Sequence, residues 1–199
     1  MADKHTATAS FFKLPGELRN RIYRLHLAGP AANGVIKVDR RKFAEPTLLL
    51  ASRQIRYEAL PLYYGENSFI LRVASYNSTL PLRWTQKLAR YENLYNLSHV
   101  RTEVREDGYA HWANLMLWLQ RIHSGAVRWA PTETEGDDDR EGLALDVMFR
   151  QVEQLRGLPW THVEGIMGGF RRLLSVAFDG QWAEETPLGE EHIPEQMRY

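Results

Sequence analysis

Two apolar periodicities alternate along this chain, and that alternation constrains its fold more than anything else in the sequence. A period of two marks a half-buried strand, and a period near 3.6 marks an amphipathic helix. His99 to Arg105 alternates cleanly, with Val100, Thr102 and Val104 on one side and Arg101, Glu103 and Arg105 on the other. Ser68 to Val73 reads as a strand, and Val35 to Val38 as a short one after the Asn33-Gly34 turn. Leu143, Leu145, Val147 and Phe149 share the face of a fourth. Helical stretches lie between these segments. Leu80, Trp84, Leu88, Tyr91 and Tyr95 form one stripe, with Asn77 or Ser78 as its cap, and Trp112, Leu115, Met116, Leu119 and Ile122 form another. Thr161 and Glu164 have capping-box spacing for a last long helix through Phe170 and Leu174. Strand–helix units in this order require crossovers that leave one sheet with helices packed on it, an α+β arrangement.

The N-terminal third is helical. Pro15 suits a first helical position, and Glu17 complements the positive end of the helix. Leu14, Leu18, Ile22 and Leu25 then recur on one face, while Arg19, Arg21 and Arg24 lie off it. This stripe is either part of the core or a docking face. Pro46 is expected to open a second helix, with Leu48, Ala51, Ile55, Ala59 and Leu62 along one side. Pro61 should kink that helix or restart it, and Gly65 should stop it. Arg53 and Glu58 are candidates for a structural polar pair that fixes it.

The run Phe12-Lys13-Leu14-Pro15-Gly16-Glu17-Leu18-Arg19-Asn20-Arg21-Ile22-Tyr23 resembles the opening of a large family of fungal F-box-like proteins. That family's second signature is matched by Leu48-Leu49-Leu50-Ala51-Ser52-Arg53-Gln54-Ile55-Arg56-Tyr57-Glu58-Ala59-Leu60-Pro61-Leu62-Tyr63-Tyr64, followed by Asn67-Ser68-Phe69. The resemblance implies an F-box-like module over residues 11–73; the strand–helix pattern over 74–183 is expected to share its core, and the polar end with two prolines over 184–199 is expected to be a flexible tail. It implies an adaptor function, with the adaptor subunit of a cullin-type ubiquitin ligase as partner. Leu14, Pro15, Leu18 and Ile22 would then belong to the docking helix, and Ile55 and Arg56 to the later one. The chain departs from the family where residues 28–45 insert a turn, a strand and the basic stretch 37–42 between the two signatures. The alternative is a stand-alone scaffold or interaction protein with the same fold and no ligase role.

Chemistry-bearing motifs are sparse, so an enzyme is not expected. There is no cysteine, which removes disulfides, thiol nucleophiles and most zinc ligand sets. Gly165, Gly168 and Gly169 fall within a helical pattern, where they read as easing close packing and not as a phosphate loop. No metal or cofactor is expected. The acidic stretch 133–141, around Asp137-Asp138-Asp139, reads as a charged mobile loop. Residues 1–105 hold 17 Lys and Arg against 8 Asp and Glu, and the remainder holds 8 against 17. Formal net charge is zero, which argues against nucleic acid as the main partner and leaves protein as the expected one. No apolar run reaches the ~20 residues that span a bilayer, and the polar residues 1–10 lack a signal-peptide pattern. Cytoplasm or nucleus is the expected location.

Overall fold

The computed structural model describes residues 11–28, 35–40, 45–91, 99–105, 110–132, 140–178 and 182. Its order is α1 (Gly16–Leu27), β1 (Val35–Val38), α2 (Arg53–Glu66), β2 (Ser68–Val73), α3 (Thr79–Leu88), β3 (Val100–Val104), α4 (Trp112–His123), α5 (Arg140–Gln154) and α6 (Trp160–Ala177). The fold is α+β. The three strands form one parallel sheet in the order β1-β2-β3. Parallel neighbours cannot be joined by a hairpin, so α2 and α3 serve as the two crossovers.

The register fixes the two faces of the sheet. Ile36 pairs with Phe69 and Val38 with Leu71, while Phe69, Leu71 and Val73 pair with Val100, Thr102 and Val104. Phe69, Leu71 and Val73 are buried, and alternate residues of β2 are only half-buried. Aromatic rings crowd the buried face. Phe69 lies 5.0 Å from Trp84, 5.4 Å from Tyr63 and 5.6 Å from Tyr64 between ring centroids. Beside the sheet, Leu115, Trp118, Leu119 and Ile122 of α4 meet Met148, Phe149 and Val152 of α5 and Val163, Met167 and Leu174 of α6 in the same apolar core. Trp182 is pinned to this bundle by its Nε1, which donates to Glu141 at 3.0 Å, and by its carbonyl, which accepts from Arg171 at 3.0 Å.

Several elements differ from the sequence reading. Leu143 to Phe149 is helix α5, not a fourth strand: the buried residues are Leu145, Met148, Phe149 and Val152, at helical spacing, and Leu143 and Val147 are exposed. Pro46 leads only into a single 3-10 turn, Thr47–Leu50. The second helix starts at Arg53, because Ser52 is extended and its Oγ accepts the Ile55 N–H at 3.1 Å. Pro61 sits inside one continuous run that extends past Gly65 to Glu66. Its ring is on the exposed side, where the carbonyl it leaves unbonded can reach water. The Thr161 capping box does not form, because α6 already begins at Trp160 behind Pro159. Gly165, Gly168 and Gly169 do not ease packing, since a Cβ at any of them would meet nothing within 4 Å. Tyr95, residues 41 and 42 of the basic stretch, residues 133–139 of the acidic stretch and the tail 184–199 lie outside the described residues. Among the described residues, no helix is long and apolar enough to cross a membrane.

Candidate interaction surface

Helix α1 has two apolar faces, and the domain uses only one. Tyr23 and Leu27 are 0% and 3% exposed and pack inward. Leu18 and Leu25, which lie about 150° around the helix from Tyr23 at roughly 100° per residue, are 47% and 78% exposed. Pro15 is exposed, while Leu14 and Ile22 are half-buried beside them. The periodicity of the sequence picks out the outward stripe.

A polar seam against α2 sets this orientation. Arg19 donates from Nε to Glu58 Oε2 and from Nη2 to Oε1, both at 2.8 Å. Tyr23 Oη donates to Oε2 at 2.9 Å, and Gln54 Nε2 donates to Oε1 at 3.0 Å. Further along, Arg24 is bidentate to Glu66, with contacts of 2.8 to 3.0 Å. At the end Asn67 Nδ2, on a buried residue, donates to the carbonyls of Leu27 at 3.0 Å and Tyr63 at 2.8 Å. These contacts ascend together in both helices, so α1 and α2 run side by side in the same direction. The Arg19 hydrogen bonds, then Gln54 and Tyr23, hold the Glu58 carboxyl down to about 2. The expected Arg53–Glu58 pair is therefore replaced by Arg19–Glu58. Five residues along a helix turn a side chain about 140° away, and Arg53 is exposed on that other side.

Of the later-helix candidates, neither belongs to an open docking face. Arg56 is turned into the domain, where Nη1 lies 2.6 Å from Glu45 Oε2 and Nη2 donates to Tyr91 Oη at 2.8 Å. Glu45 also accepts from Tyr64 Oη at 2.8 Å and meets Lys87 Nζ at 3.1 Å. Burial pushes the Glu45 carboxyl up, but the hydrogen bonds from Arg56, Tyr64 and Lys87 outweigh it and leave it below its ordinary value. Ile55 is half-buried beneath the Ser52 cap. The structure thus separates the sequence candidates into an outward group (Leu14, Pro15, Leu18, Ile22) and an internal pair. Tyr57, 85% exposed on α2, was not singled out from the sequence. Its position off the Ile55-Ala59-Leu62 stripe is the signal that could have found it.

Glu45 is held by Arg56 and Lys87, and Glu58 by Arg19 with the neutral donors Tyr23 and Gln54; both stay ionised near neutral pH, which leaves them poor proton carriers. Among the described residues, no group of three or more His, Asp or Glu could hold a metal ion. Comparison with known proteins found no matching family model, no matching curated protein and no matching solved structure.

Proposed function

We propose that this chain is a protein-interaction adaptor that acts inside the cell, in cytoplasm or nucleus, and docks a partner protein on the outward stripe of α1. The observation that carries this reading is the exposure of Leu18 and Leu25, at the half-turn spacing of a second apolar face, on a helix already buried on its first. An apolar stripe displayed this way is the form in which one helix presents anchors to a partner's groove. The Leu14-Pro15-x-Glu17-Leu18 pattern favours the adaptor subunit of a cullin-type ubiquitin ligase as that partner. The test is a pull-down with the purified adaptor subunit, using the wild type, Leu18→Asp and Leu25→Asp. Retention by the wild type and loss by both variants, with unchanged circular dichroism, supports the reading. If the wild type retains no adaptor subunit, the ligase role fails.

A second reading, an interaction protein without a ligase role, has its own support. The insert between the two signatures contributes β1, a full member of the sheet, and Arg56 is held internally by Glu45. That reading expects stable partners that depend on Leu18 and Leu25 but no binding to the adaptor subunit.

A further inference from the structure

We infer that the outer face of the sheet is a second interaction surface, built to take an acidic, extended segment of a partner protein. All-parallel sheets are ordinarily covered on both faces. Here the face carrying Phe69, Leu71 and Val73 is buried, and the opposite one is incomplete: Val35 and Ile70 are half-buried, and Lys37 and Arg101 are exposed. The register puts Lys37, Ile70 and Arg101 in one row across the three strands, with Val35 and Ser68 in the row before and Arg72 and Glu103 in the row after. At a strand spacing of about 4.8 Å, the two cations stand roughly 10 Å apart with an isoleucine between them.

Charge complementarity identifies the occupant. Among the described residues, the side chains of Lys37 and Arg101 make no hydrogen bond or ion pair. Glu45 is engaged by Arg56 and Lys87, Glu58 by Arg19 and Glu66 by Arg24, and on the face itself Glu103 leans towards Arg72 at 3.8 Å. Two exposed cations flanking an aliphatic residue match an acid–x–apolar–x–acid segment. In an extended chain those three side chains share one face, about 13 Å from end to end, within reach of the long Lys37 and Arg101 side chains. Sheets that read nucleic acid stack bases on aromatic residues; among the described residues these three rows hold no Phe, Tyr or Trp, only His99 at the end of the first, so a peptide fits better.

The probe is a fluorescein-labelled peptide with glutamates two positions either side of a valine, titrated into the full chain by fluorescence anisotropy. Saturable binding that weakens as salt rises is expected. Lys37→Glu with Arg101→Glu should weaken it about tenfold or more. Arg83→Glu, an exposed reversal on α3, should leave it unchanged, and so should Leu18→Asp, which separates this surface from α1. Lys37→Gln with Arg101→Gln provides a second, gentler variant should the double reversal disturb the strands. The inference is overturned if the wild type does not bind the peptide, if the charge variants bind it equally, or if a short single-stranded RNA binds more tightly.

Discussion

Truncating Leu27, Leu18 and Leu25 in turn to alanine measures which face of α1 belongs to the core. Leu27 is 3% exposed, so Leu27→Ala removes a fully buried side chain and leaves a cavity, at a cost of about 3 kcal/mol. Leu25 is 78% exposed. Only about a fifth of its transfer free energy is at stake, so Leu25→Ala should cost about 0.5 kcal/mol. Leu18, at 47% exposed, falls between them at about 1 kcal/mol. Alanine is at least as good a helix former as leucine, so propensity does not obscure the ranking. Urea unfolding followed by far-ultraviolet circular dichroism, with a common m-value, gives the three differences. If Leu25→Ala costs as much as Leu27→Ala, the stripe is core and the docking argument collapses.

Gly165→Ala, Gly168→Ala and Gly169→Ala should each stabilise α6 by up to about 1 kcal/mol, because the added Cβ meets nothing within 4 Å and glycine is the poorer helix former. A raised thermal midpoint for the triple variant checks this, and a lowered one contradicts the geometry. Asn67→Ala should destabilise by about 2 kcal/mol, since it strips partners from the Leu27 and Tyr63 carbonyls. Chemical denaturation would show it, and a change below about 0.5 kcal/mol would count against the bond between the two helix ends. Stability should also fall on acidification. Glu58 is held down to about 2 and Glu45 below its ordinary value, so the folded state favours both carboxylates in ionised form. Their contribution is complete above the unfolded carboxylate range and is lost as pH falls from about 4.5 towards 2. Urea midpoints across that window should decline, and Glu58→Gln should flatten part of the decline.

The legible parts of the fold were those where a single periodicity spoke. β3 alternates without conflict and α4 repeats without conflict, and both stand where the sequence put them. α5 contains both signals. Leu143, Leu145, Val147 and Phe149 alternate, but Met148 and Val152 complete a helical stripe with Leu145 and Phe149, and burial follows the helix. The outward stripe of α1 was legible as a set of residues but not as a direction. Periodicity says which side chains share a face, and nothing in a local window says which face meets the rest of the chain. That answer depends on Arg19 and Glu58, which are 39 residues apart in sequence. The Arg53–Glu58 expectation failed for the same reason, because a nearby partner was preferred to a distant one.

The polar seam also explains why an apolar stripe can be left outside at all. Helix α1 meets α2 mainly through Arg19, Tyr23 and Arg24 against Glu58 and Glu66, with Tyr23 and Leu27 supplying the inward apolar contact. Charged seams of this kind add little net stability, but they admit few alternative geometries, because each misplaced carboxylate or guanidinium loses its hydrogen bonds. Had the seam been wholly apolar, α1 could have rolled to bury Leu18 and Leu25 in place of Tyr23 and Leu27. With Glu58 demanding Arg19 and Tyr23, that rotation would strand a carboxylate and a guanidinium that are each less than a fifth exposed. The stripe therefore stays in solvent because the inward face is polar enough to be specific, and the seam also reaches the stripe's first residue, since Arg19 Nη1 donates to the Leu14 carbonyl at 2.7 Å.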